Sequence, residues 1–293
     1  MTEPRTSLGR IGVWAAGFDT LPIAAVRQAA AAIEDLGYGT LWLHETAGRE
    51  AMAQAGILLS DTRQMVVATG GADIYARDAV ATSAAQRTLD EAFPGRFLLG
   101  LWESHPSLAE DVRGHRFGPP LATMRDYLDA LDGAPFRPAP GPGAARRVIM
   151  AMDRGMLELA GERTSGAQLL GMPVEYTRIA RAVLGPSALL AVTQFAILDE
   201  DGSRATELAR STAAAALPNR RALLEDLGYE EVDSLGDRVV DALVAYGSTE
   251  DVANRVARHF DAGADHVSLH VVHTTPGTAP VLQWQRLAEQ LIP

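Results

Sequence analysis

The sequence predicts a (β/α)8 barrel, an α/β fold, and three observations lead there. Eight short apolar runs each give way to an amphipathic stretch, so strand-like and helix-like segments alternate along the 293 residues. The run from Phe97 to Leu101 is continuously apolar, as suits a parallel strand covered on both faces. No G-x-G-x-x-G follows the first strand, which disfavours the alternative, an open doubly wound sheet binding a dinucleotide.

The elements follow in order. Arg10 to Trp14 is the first strand, and Pro22 to Leu36 an alanine-rich helix stopped by Gly37. Thr40 to Leu43 is the second strand, Arg49 to Leu59 its helix, and Gln64 to Thr69 the third strand. Asp78 to Ala92 is a helix with Asp78 as N-cap, because a carboxylate there accepts from unpaired amides of the first turn. Phe97 to Leu101 is the fourth strand, Leu121 to Leu131 a helix, and Gly133 to Gly143 a Pro- and Gly-rich loop. Val148 to Ala151 and Ala167 to Leu170 are the fifth and sixth strands, followed by helices at Gly155 to Glu162 and Val174 to Leu184. Leu189 to Ile197 is the seventh strand, and helical segments run with breaks from Ser203 to Tyr246. Thr249 to Ala262 is a helix capped by Ser248 or Thr249, His266 to Val271 the eighth strand, and Val281 to Leu291 a closing helix. The loop at 133–143 is not read as a linker, since strands split four and four could not bury both faces. One domain over 1–293 is expected.

Composition excludes several kinds of chemistry. There is no cysteine, hence no disulfide, thiolate nucleophile or cysteine metal site. All 26 basic residues are arginine, which removes lysine Schiff bases and a P-loop lysine. A net charge of −11 without a basic stripe argues against nucleic acid and for a small molecule as partner. No apolar run reaches membrane-spanning length, and Met1 to Arg10 lacks an apolar signal region, so a cytoplasmic protein without a membrane partner is expected. The alanine-rich stretches 24–32 and 79–85 suit either a homodimer interface or packing on the barrel.

In barrels of this kind chemistry sits beyond the carboxyl ends of the strands. Those positions bring His44, Glu45, Gly70, Gly71, Asp73, Trp102, Glu103, His105, Asp153, Arg154, His270 and His273 to one rim. His44, Glu103 and His105 are the candidate catalytic groups, because imidazole and carboxyl can move protons near neutral pH. Glu103 and His105 alternate on an extended segment and are expected to face one ligand. Trp14, Trp42, Tyr75, Trp102, Met152 and His270 are the candidate substrate-binding residues, with the tryptophans as apolar walls. Gly70-Gly71 permits a bulge or unusual peptide geometry. The histidines lack metal-ligand spacing, so no metal site is expected, and no G-x-S-x-G marks a serine hydrolase.

The segments Arg10-Ile11-Gly12-Val13-Trp14, Ile33 to Trp42, Val67 to Asp78, Ala85 to Leu89, Pro94 to Leu101, Met156 to Ala160 and Asp261 to Val267 together carry a family resemblance. The chain resembles the luciferase-like monooxygenase superfamily, most closely its actinobacterial branch of F420-dependent oxidoreductases. The resemblance implies a barrel of the bacterial luciferase type with an insertion before the eighth strand, matching the helical stretch at 203–246. It implies hydride transfer to or from the deazaflavin F420, or alternatively FMN, on a small organic substrate. Thr69, Gly70, Gly71 and Ala72 would form the bulge behind the cofactor ring, and His44 would stand near the reacting carbon. Asp153, Arg154 and Gly155 would hold the phosphate at a helix N-terminus.

Three positions depart from the family pattern, all on the cofactor-facing rim. Trp102 stands where a small residue is usual. Met152-Asp153-Arg154-Gly155-Met156 replaces a Gly-Pro turn followed by a basic residue and Met, and Leu170-Gly171-Met172-Pro173 replaces a polar-aromatic loop. These departures define an alternative, a cofactor-free member of the fold acting as a cyclase or isomerase in a biosynthetic pathway.

Overall fold

The computed structural model describes residues 8–138, 146–199, 201–275 and 277–293. Eight parallel strands close into a barrel. They are β1 (Ile11–Trp14), β2 (Thr40–Leu43), β3 (Val66–Thr69), β5 (Phe97–Trp102), β6 (Arg147–Met150), β7 (Gly166–Leu170), β8 (Leu189–Leu198) and β10 (His266–Val271). Closure comes from β10, which pairs with both β1 and β8. Two short strands lie off the ring: β4 (Ala72–Asp73) on β5, and β9 (Val244–Gly247) along the C-terminal half of β8. The helices are α1 (Ile23–Asp35), α2 (Ala51–Asp61), α3 (Ala79–Ala92), α4 (Pro120–Asp132), α5 (Arg154–Arg163), α6 (Val174–Leu184), α7 (Gly202–Ala216), α8 (Arg221–Asp226), α9 (Asp237–Leu243), α10 (Thr249–Asp261) and α11 (Val281–Leu291).

The two-residue period of a strand sorts the side chains into two cores. Val13, Leu41, Leu43, Val67, Leu99, Leu101, Ile149 and Leu169 point outward and bury against the helices. Trp14, Trp42, Val66, Ala68, Leu98, Val148, Met150 and Ala191 fill the interior. A polar belt crosses that interior. Trp42 Nε1 donates to His266 Nε2 at 3.0 Å, Gln168 Nε2 donates to Thr193 Oγ1 at 3.2 Å, and Thr193 and Ser268 share a 2.8 Å bond.

Local signals set the helix starts. Asp78 and Asp153 accept from the amides of Ala81 and Met156, and Ser248 forms a capping box with Asp251. Helical structure before β10 does not continue to Tyr246. Val244 and Ala245 pair instead with Phe195 and Ala196 as part of β9, a long-range pairing that overrides local preference. A 3-10 turn at Ala16–Thr20 and a π turn at Leu108–Val112 fall where the sequence showed only loop. Of the loop expected at 133–143, residues 139–143 lie outside the described residues.

Segments α7 to β9 form the insertion. Ala205, Ala209, Ala213, Leu224, Val239, Val240 and Leu243 build its core against Phe195 and Ile197 of β8. Among the described residues no helix is long and apolar enough to cross a membrane.

Candidate active site

Because interior residues alternate, the uppermost interior layer can be read from strand parity, and it lines a cavity of about 260 Å³ at the barrel mouth. Trp14, Gly70, Trp102, Met150, Met152, Leu170, Phe195 and His270 come from or just beyond the strand ends. His44, Glu45 and Thr46 close one side, and Asn219 and Arg220 of the insertion close another. The walls are mainly apolar with a few polar groups, the usual makeup of a small-molecule site.

His44 stands at the rim with Nε2 3.3 Å from Asp19 Oδ2. That contact holds the Asp19 carboxyl below its ordinary range. Gly48 makes the approach possible, since a Cβ there would lie 2.1 Å from Asp19 Oδ2. A histidine backed by a carboxylate is an arrangement suited to proton transfer. Glu45 is buried and fully engaged. It pairs with Arg77 and accepts from the amides of Ala51 and Asp73.

The structure does not gather all the expected residues at this cavity. Trp42 is fully buried one layer below and bonded to His266, so it belongs to the core. Tyr75 stacks on Phe117 and accepts from the Gly118 amide, which ties down a loop away from the cavity. Thr69 clamps β3 to β5 through Gly100, and Ala72 pairs with Leu101 in β4. The Gly70–Gly71 peptide is cis, the unusual geometry allowed for there. A Cβ on Gly70 would lie 2.4 Å from the Trp14 ring, so only glycine lets the indole close over it.

Glu103 and His105 do not face one ligand. Ser104 adopts φ 69°, which breaks the extended alternation between them. His105 is exposed, sits edge-on to Trp102, and bonds Ser107 and the Leu108 amide. Glu103 is out of phase with Trp102 and turns away from the cavity. Its Oε2 is buried without a partner among the described residues. Burial, and secondarily the charge of Asp153, push the Glu103 carboxyl up to about 7.

Asp153 caps α5 with its own carboxylate, 2.9 Å from the Met156 amide. Arg154 points into solvent and pairs with Glu158 at 2.8 Å. Leu121 of α4 covers the same turn, 3.1 Å from where a Gly155 Cβ would stand.

Asp19, Phe195, Asn219 and Arg220 are not singled out by the sequence. Strand parity through Ala191 and Thr193 would have found Phe195. The other three lie on irregular segments whose position depends on tertiary packing.

An eight-stranded parallel barrel with its cavity at the strand carboxyl ends defines the class of barrel enzymes. A sequence profile of the luciferase-like monooxygenase family matches residues 10–266, and the chain belongs to that enzyme family. It is 32% identical over 157 residues to a Mycobacterium tuberculosis protein provisionally named a coenzyme F420-dependent oxidoreductase. That match takes in 54% of this chain and 42% of the relative. An F420-dependent secondary alcohol dehydrogenase with an F420-acetone adduct superposes with a TM-score of 0.77 at 13% identity, covering 97% of this chain and 98% of that one. The F420-dependent tetrahydromethanopterin reductase of Methanopyrus kandleri gives 0.76 at 14%, with 97% of each chain covered. The FMN-bound oxygenating constituent of a Pseudomonas putida 3,6-diketocamphane monooxygenase gives 0.71 at 14%, with 95% of each covered. At these identities the structural likeness is one of fold.

Whether F420 or FMN fits depends on both ends of the cofactor. A phosphate at the first turn of α5 would meet the Asp153 carboxylate on the amide it needs, Glu103 close behind it, and no inward-facing cation from Arg154. Helix N-termini attract anions, but here the chain supplies its own. Trp102 takes up room in the ring region, against Gly71. As the side chains stand, the Met156 amide in the first turn of α5 is already taken by the Asp153 carboxylate, and Arg154 is paired with Glu158 in solvent.

Proposed function

We propose that this luciferase-like enzyme takes a small, largely apolar organic substrate directly into the barrel-mouth cavity and acts on it by proton transfer at His44, without phosphate-anchored F420 or FMN. The observation that carries this reading is the pair of carboxyl groups, Asp153 and Glu103, at the turn where a cofactor phosphate would rest. The cavity supports it: at about 260 Å³ it lies just below the roughly 300–1,000 Å³ usual for drug-sized ligands. Asp19 would orient His44, while Trp14, Trp102 and Met152 would hold the apolar body. Isomerisation and cyclisation are reactions that such proton transfer serves.

The second reading is hydride transfer with F420 or FMN on a small organic substrate. Family membership favours it, as do the two glycines, Gly70 and Gly71, that line the cavity. Fluorescence titration with F420 and, separately, FMN decides between them. We expect no saturable binding in the micromolar range, and binding gained when Asp153→Gly, Glu103→Gln and Trp102→Gly are combined. Saturable micromolar binding by the unaltered chain would overturn the first reading in favour of the second.

A further inference from the structure

The cavity has one charged wall without an opposite charge. Arg220 is 4% exposed, yet it forms no salt bridge among the described residues. Its Nε donates to Gly171 O at 2.8 Å, its Nη1 donates to Ala216 O at 2.9 Å, and its Nη2 donates to Leu170 O. These bonds strap the insertion to the end of β7. They satisfy three of five N–H groups, and the guanidinium lies 5.9 Å from the centroid of the Phe195 ring, but no carboxylate among the described residues pairs with its charge.

Other shielded arginines are balanced differently. Arg77 meets Glu45 and Glu50, Arg113 meets Asp73, and Arg181 meets Asp265. Arg255, bonded to carbonyl oxygens, still lies in the field of Asp241 and Glu175. Among the described residues no acid acts on Arg220. Burial alone lowers its guanidinium to about 10. A buried charge is costly unless something pairs with it, and here the free side is a ligand cavity.

The other titratable groups there do not balance it. Glu45 is engaged by Arg77 and two backbone amides. His270 is held neutral by burial and by the neighbouring His44 and His273. Asn219, exposed at the mouth beside Arg220, adds an uncharged amide.

We infer that Arg220 is the substrate's counter-ion, so that the substrate is a small carboxylate whose apolar body lies against Trp14, Trp102, Met150, Leu170 and Phe195. This rests on the reading that the cavity takes its substrate directly. Guanidinium suits the task because its planar fork matches a carboxylate.

Isothermal titration of the full chain at pH 7.5 with three probes of one shape tests it: 3-phenylpropanoate, 3-phenylpropanamide and 3-phenylpropylammonium. The carboxylate should bind at least about tenfold more tightly than the amide, as a charge-assisted hydrogen bond implies. The ammonium should be rejected, and added salt should weaken the carboxylate alone. In Arg220→Gln the preference of carboxylate over amide should fall to within about twofold, and Arg220→Lys should restore part of it. Amide binding equal to or tighter than the carboxylate in the unaltered chain overturns the inference and leaves the cavity reading standing, even if the variants fail to fold. Binding of none of the three overturns the cavity reading and the inference with it.

Discussion

Replacing Glu103 by glutamine should stabilise the protein, and only above mildly acidic pH. Glu103 carries a buried oxygen without a partner among the described residues, and its carboxyl is pushed up to about 7 by burial and then by Asp153. In the unfolded chain it titrates near 4.5. Below that value both states hold the proton and the residue costs nothing. As pH rises towards 7 the unfolded state ionises freely while the folded state resists, so folding stability is lost across that window. A gap of roughly 2.5 units corresponds to about 3 kcal/mol, reached in full above pH 7. Glu103→Gln keeps the shape and removes the titration. Urea unfolding of both proteins at pH 4 and pH 8 isolates the effect, because every other group cancels between them. The variant should match the parent at pH 4 and exceed it by about 3 kcal/mol at pH 8, or about 5 °C in Tm. A variant no more stable at pH 8, or a difference independent of pH, would refute the placement of a strained carboxyl at this turn.

Four further outcomes are expected. Asp153→Asn keeps the α5 cap but removes the charge, so repeating the pH series on it should show a smaller penalty at Glu103. Arg220→Leu leaves three carbonyl oxygens without their donor and should cost about 3 kcal/mol or more in urea unfolding. Trp102→Gly should cost about 2 kcal/mol, less than for a fully buried indole, and by itself should not confer micromolar F420 binding in fluorescence titration, since both carboxyls remain. His259, His266 and His270 are held neutral by burial, down to about 3, 4 and 4, whereas the unfolded histidines charge near 6.5. Stability present above pH 6.5 should therefore fall as pH drops from 6.5 towards 4, read as a falling urea midpoint.

Strand and helix alternation, the Asp78 cap and the Ser248 cap were legible in the sequence because they depend on residues a few positions apart. So was part of the cavity. Trp14, Trp102, Met152 and His270 belong to or follow strand ends, and the fold places strand ends at one rim. The sequence also held the Asp153 departure, one local substitution whose charge is the same in any fold. Tertiary structure alone decided the rest. Ser104 turned its backbone and sent Glu103 and His105 to different places, which no pattern of residue types reveals. Trp42 and Trp102 are the same residue type on two strands of one barrel, yet one lies a layer deeper and is spent on His266. Asp19 reached His44, and Arg220 reached β7, across 25 and 49 or 50 residues respectively. Such pairings are fixed by how irregular segments pack on a closed barrel, and the closure, not the local sequence, sets which charges finish with a partner and which face the cavity without one.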